Sequence, residues 1–225
     1  MLYVYAIMEA LDGPLGTCLG HDDASLTLVV ADGLAAVCSR HDDGLDLVAA
    51  QDEESLWRHE RVVEALATER AILPVRFGTM VRDEQALVDF LAGSSHALRA
   101  SLELVGTRQE VGVRVLWDPP SAPSAAPAQA RGAAYLHARL ALDRAARDRA
   151  ESVHAALCEQ AVAARHRVLV TRRMLLSGAY LVERTDVGAF VAAADELAER
   201  HDDLQIVCTG PWPAHNFASL TGAPS

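Results

Sequence analysis

Three His-Asp-Asp tripeptides, at His21-Asp22-Asp23, His41-Asp42-Asp43 and His201-Asp202-Asp203, concentrate the ligand chemistry of this chain. Imidazole with carboxylate is a donor set that divalent cations accept. Each copy lies in or beside a segment that reads as a loop, and adjacent side chains rarely converge on one ion, so solvated turns are expected and no metal is assigned. His59, inside Trp57-Arg58-His59-Glu60-Arg61, has a carboxylate next to it. A general base also needs a nucleophile and a shaped pocket, and the sequence names neither. Gly13-Pro14-Leu15-Gly16 lacks the spacing and the lysine of a phosphate loop, and Ser177-Gly178 lacks the flanking glycines of a nucleophile elbow. No cofactor is expected, and the chain does not read as an enzyme. A ligand-binding or oxidative enzyme is the alternative, and it would require a pocket lined by convergent polar groups.

The elements that must position these residues are set by a chain of 225 residues, half of it hydrophobic, which suffices for one large domain or two small ones. No apolar run approaches the roughly 20 residues that span a bilayer, and residues 1–10 lack the basic start of a secretory signal, which points to the cytoplasm. The cysteines at 18, 38, 158 and 208 are far apart and form no CxxC pair, so buried reduced thiols are expected. The net charge of −11 is confined to residues 1–118, which hold 9 arginines against 20 acids; the remainder balances at 11 and 11. Neither half carries the basic footprint of a nucleic-acid binder. An acidic first half could steer a basic partner or keep the chain soluble.

Asp118 to Pro127, rich in Pro, Ala and Ser, cannot sustain helix or ladder, and so divides the chain into domains at 1–118 and 131–225 with a linker at 119–130. In the first, Met1–Met8, Ser25–Val30 and Leu34–Ser39 read as strands, the last two joined at Asp32-Gly33 as a tight hairpin. Glu53–Arg70 reads as a helix burying Leu56, Val63, Leu66 and Ala67. Ala71–Phe77 follows as a strand, Asp83–Leu91 and Ser95–Leu104 as two helices with Asp83 as a cap, and Glu110–Trp117 as a strand with one buried face. This predicts an α+β sheet with helices on one side, ferredoxin-like. The second domain opens with an Ala-rich helix over 132–165, its seam at near-heptad spacing. Arg167–Met174 and Gly178–Glu183 follow as strands, Val187–Arg200 as a helix and Leu204–Thr209 as a last strand, which makes an α+β domain with a long helical arm.

Two segments have a mechanical reading. In Leu73-Pro74-Val75-Arg76-Phe77-Gly78-Thr79, Val75 and Phe77 share one face, and Arg76 on the other is either solvated or a fork for Glu60 or Glu110, tying helix to sheet. In Thr209-Gly210-Pro211-Trp212-Pro213-Ala214-His215-Asn216-Phe217, Pro211 and Pro213 remove two donors, so the chain should leave its sheet as a stiff strip. Trp212 and Phe217 then either clasp the body or stand exposed as anchors for another protein.

With Leu2-Tyr3-Val4-Tyr5, Trp57, His59-Glu60, Glu110-Val111-Gly112-Val113, Trp117 and Gly178-Ala179-Tyr180-Leu181-Val182, these strings make the chain resemble the gas vesicle protein F/L family over nearly its whole length. The chain departs from the family's strip at Ala214, where a further proline is more usual. The resemblance implies a two-domain α+β protein with a ferredoxin-like first domain. It also implies an accessory or minor structural role in gas vesicle assembly. Expected partners are the small hydrophobic shell protein and other accessory proteins, with no lipid membrane and no catalytic residues, and the expected location is the gas vesicle, cytoplasmic before assembly. The resemblance includes a histidine at His59, for which a structural hydrogen bond is the preferred role.

Overall fold

The computed structural model describes residues 1–10, 15, 19–41, 53–117, 131–169 and 173–218. Two compact units emerge, Met1–Gln109 with Trp212–Ser225, and Glu110–Pro211.

The first unit is built on β1 (Leu2–Glu9), β2 (Leu26–Ala31) and β3 (Leu34–Arg40), followed by α1 (Glu53–Glu69), the two-residue strands β4 (Leu73–Pro74) and β5 (Met80–Val81), and α2 (Glu84–Val105). Its antiparallel sheet runs β2-β3-β1-β4, with β5 also on β1. The β2–β3 hairpin turns at Asp32 (φ 48°) and Gly33 (φ 69°), both left-handed as a two-residue primed turn demands. Seven consecutive buried residues, Leu2 to Met8, need cover on both faces of β1. Val62, Val63 and Leu66 of α1 join Tyr3, Tyr5 and Val37 in one core, and α2 packs against β1, β2 and β3 from the other side. Helices therefore cover the sheet on two sides, not the expected one.

Three local expectations change. Leu56 is exposed on α1, and His59 takes its place on the buried face with Val62, Val63 and Leu66. The strand expected over 71–77 shrinks to Leu73–Pro74, because Pro74 has no N–H to extend a ladder. The two helices expected between 83 and 104 are one. Burial of Leu87, Leu91, Leu98 and Leu102 along a single face outweighs the roughly 1 kcal/mol that Gly93 costs in mid-helix. Asp83 caps α2, its carboxylate accepting from the Ala86 N–H at 2.9 Å.

The second unit contains β6 (Gln109–Trp117), α3 (Arg131–Cys158), β7 (Ala163–Val168), β8 (Met174–Val182), α4 (Val187–Glu199) and β9 (Leu204–Trp212), in a sheet ordered β7-β8-β6-β9. β7 and β8 pair antiparallel from Ala163 opposite Leu181 to Val168 opposite Leu176. This succession is strand, helix, two strands, helix, strand, the ferredoxin-like order. It belongs to this unit and not to residues 1–118, where it was expected. β6 lies in this second sheet, and the chain from Trp212 onward belongs to the first unit. A proline-rich break marks where pairing stops, not which sheet the preceding strand joins; that break, at 118–130, lies outside the described residues.

Ala146, Ala150, Val153 and Leu157 of α3 form a seam with steps of four, three and four, packed with Val111, Val113, Val115, Tyr180 and Phe190. Nearer the start of α3, Leu136 and Leu140 are 61% and 63% exposed. The helix ends at Cys158, because 163–168 pairs with β8 and ladder bonds override alanine propensity. β9 runs to Trp212, past the expected end at Thr209. As the sheet's edge strand it can hold Pro211, whose missing donor can face the open side. Cys38 is buried and Cys158 and Cys208 are half-buried, all three as free thiols; Cys18 lies outside the described residues.

β6 and β9 approach closely at Gly112, where a Cβ would lie 2.6 Å from Thr209 Oγ1. Gly112→Ala is therefore expected to cost about 1–3 kcal/mol of stability, as overpacking does. Adding Thr209→Ala should restore most of it, read as a double-mutant cycle in urea. Equal losses in the single and double variants would show that this contact is not the reason for the glycine.

Candidate functional site

In the first unit, strings that are scattered in the sequence converge. The carbonyl of Val75 must accept, so the His59 Nε2–H donates to it at 3.0 Å, leaving His59 Nδ1 to accept from the Tyr3 hydroxyl at 2.9 Å. The Tyr3 oxygen in turn accepts from the Gly78 N–H at 3.0 Å. One histidine and one tyrosine thus fasten both ends of the Val75–Gly78 turn to α1 and β1. His59 is fully buried, and its burial pushes its pKa down to about 4, so the ring is neutral. Phe77, half-buried, stands edge-on to His59 with ring centroids 5.8 Å apart.

A second network lies beside it. Tyr5 Oη accepts from the His21 N–H at 2.7 Å and meets Ser39 Oγ at 3.0 Å, and Ser39 Oγ meets His41 Nε2 at 2.7 Å. His41 Nδ1 faces Asp22 at 3.9 Å. Ser39, His41 and Asp22 have the order of a nucleophilic triad, but Ser39 is fully buried with its hydroxyl shared with Tyr5, and 3.9 Å is too long for an orienting hydrogen bond. The arrangement cross-links the β1–β3 core and cannot present an oxygen to a substrate.

The outer face of α1 is different. Glu60 Oε2 lies 3.2 Å from His215 Nε2, and this contact, ahead of the opposing cost of burial, holds the Glu60 carboxyl below its ordinary range. The tail is itself folded, its Phe217 N–H donating to the Ala214 carbonyl at 3.1 Å. Between α1 and this tail lies a cleft of about 310 Å³ lined by Leu56, Trp57, Glu60, Glu64, Trp212 and His215.

Of the residues singled out from the sequence, Glu60 and Trp212 line this cleft, whereas His59 and Phe77 meet each other at the Val75–Gly78 turn. Arg76 is exposed and does not pair with Glu60, which is turned to His215. Glu110 is 5% exposed in β6 of the other unit. Trp212 and Phe217 part company: Trp212 is 42% exposed, whereas Phe217 is buried and cannot be an anchor for another protein. Pro211 is exposed and Pro213 half-buried beside Trp212. Two of the His-Asp-Asp copies meet, through Asp22 and His41, while Asp203 pairs with Arg149 in the second unit; Asp42 and Asp43 lie outside the described residues. Among the described residues no group of three His, Cys, Asp or Glu side chains is placed to hold a metal. Leu56, Glu64 and His215 were not legible as site residues. Leu56 lies one turn before His59 on the same apolar pattern, and the sequence holds no sign of which helix face the distant tail would cover.

This fold and this surface define a mixed α/β protein with an aromatic cleft on one helix and its polar clusters buried as cross-links. The chain belongs to the GvpL/GvpF family, whose model, described as gas vesicle synthesis protein GvpL/GvpF, matches residues 1–219. It is 34% identical to gas vesicle protein F2 of Halobacterium salinarum over 72% of this chain and 64% of that one. It is also 30% identical to gas vesicle protein L of a Streptomyces species, over 97% and 92%. The crystal structure of GvpF from an Anabaena species shares the fold at a TM-score of 0.82, with 19% identity over 100% of this chain and 98% of that one. No helix among the described residues is long and apolar enough to cross a membrane.

Proposed function

We propose that this chain is an accessory or minor structural protein of gas vesicle formation that works by contact, binding the small hydrophobic shell protein and other accessory proteins. It acts in the cytoplasm before assembly and at the gas vesicle afterwards. Its two compact units serve as two domains, the second ferredoxin-like and carrying the first turns of α3 as an arm. Membership of the family supports the role. The observation that carries the mode of action is the exposed set Leu56, Trp57 and Trp212, which share one cleft above the buried framework of His59 and Tyr3. A very apolar shell subunit aggregates when free, and an acidic protein that covers part of it holds it for ordered growth.

Co-purification of the tagged full chain from a vesicle-forming host tests the role. Retention of shell protein or another gas vesicle protein through washing is the expected result. A bait that retains none of them, with shell protein soluble in the lysate, contradicts it.

A further inference from the structure

The cleft on α1 joins an apolar floor to an acidic rim. Leu56, Trp57 and Trp212 are 42%, 56% and 42% exposed. Single exposed apolar residues are ordinary, but these three are contiguous in one concavity. Glu60 and Glu64 line the same cleft, and Glu53 and Glu54 flank Trp57 on its other side together with Arg61. The second arginine of the helix, Arg58, is drawn to Asp23 at 2.9 Å and Glu54 at 3.6 Å, which leaves Arg61 facing the acids. The Trp57 indole N–H already donates to Glu53 Oε1 at 3.2 Å. What Trp57 offers an occupant is therefore its ring face, beside carboxylates, a setting that favours a cation stacked on the ring. The same sign is written in the chain's net charge of −11, all of it carried by residues 1–118.

Resting on the reading that this chain acts by contact in gas vesicle formation, we infer that the cleft is the docking site for a segment of a gas vesicle protein in which an apolar side chain is flanked by arginine or lysine. The apolar side chain enters between Trp57 and Trp212, and the cation lies over Trp57 toward Glu64 and Glu53.

The test uses the full chain with Leu56→p-benzoylphenylalanine, irradiated in a vesicle-forming host, and the cross-linked peptide is sequenced. Retention is measured in parallel for Trp57→Ala and Glu64→Arg, whose exposed positions leave the melting curve at the wild-type value. The expected result is a cross-link to a gas vesicle protein at a stretch with Arg or Lys next to an apolar residue. Retention should be weakened roughly tenfold by either substitution and by about 0.5 M salt. A cross-link to residues 219–225 of the same chain, to a second copy or to an acidic stretch overturns the inference, as does retention indifferent to Glu64→Arg. If the unsubstituted chain retains no gas vesicle protein, the functional reading falls first. The cleft is then judged with a fluorescein-labelled amphipathic peptide bearing leucines on one face and arginines on the other. Binding that Glu64→Arg weakens sustains the cleft, and absence of binding ends it.

Discussion

Phe217→Ala is expected to lower the unfolding free energy by about 3–5 kcal/mol, the range for removing a buried phenylalanine. Trp212→Ala, five residues away, should cost about 1 kcal/mol or less, in keeping with a half-exposed position. The contrast follows from burial, since Phe217 is 2% exposed and Trp212 is 42% exposed. It also follows from the local backbone, in which the Phe217 and Ala218 N–H groups both donate to the carbonyl of the buried Ala214 and make the tail a single closed turn. A loss of this size is a large share of a typical domain's 5–15 kcal/mol. Urea denaturation of the two variants reads it as a shift in midpoint at constant slope. Equal losses would mean that Phe217 is no more a structural plug than Trp212. The comparison also fixes how vesicle yields are interpreted. A Phe217 variant fails through folding, so only the Trp212 variant reports on the surface.

That division between plug and surface was hidden in the sequence, where both aromatics follow the same prolines. What the sequence carried well was local. The hairpin at Asp32-Gly33, the cap at Asp83 and the alternation of Val111, Val113 and Val115 each depend on neighbours within a few residues, and each appears in the structure. Legibility was lost where distant segments decide. The proline-rich stretch after β6 points to the first sheet, yet the strand's place is set by pairing with β8 and β9, which start about 65 and 95 residues downstream. Leu56 fits the helical period of a core residue, yet the space beneath α1 is filled from Val62, Val63, Leu66 and the imidazole of His59. The recurrent strings themselves gave no hint that Tyr3, His59, Val75 and Gly78 form one hydrogen-bonded clip. That arrangement exists only once β1, α1 and the turn after β4 are stacked.

The clip makes the fold sensitive to acid in a definite window. His59 has its pKa lowered from 6.5 to about 4, chiefly by burial, so the folded state resists the proton that the unfolded chain accepts. A base with a depressed folded pKa contributes its full stability above pH 6.5, loses it progressively as pH falls toward 4, and loses no more below that. A displacement of this size corresponds to about 3 kcal/mol. The groups around the ring are the Tyr3 hydroxyl on Nδ1, the Val75 carbonyl on Nε2, and Glu60, His21 and His215 nearby. Glu60 acts in a separate, lower window: its pKa is lowered by the contact with His215, so its contribution is present above the ordinary glutamate range and is lost only as pH drops through the depressed value. His154 in the second unit is also shifted down, by burial first, and adds to the wild-type slope. The comparison that isolates His59 is therefore wild type against His59→Gln, which stays neutral at every pH. Urea midpoints at pH 7, 5.5 and 4.5 should fall more steeply for wild type, so that the stability advantage of His59 over Gln shrinks by about 2–3 kcal/mol across that range. The His59 ring signal in the folded wild type should not titrate above about pH 5. Parallel curves, or a His59 signal titrating near 6.5, would remove the clip as the source of acid sensitivity.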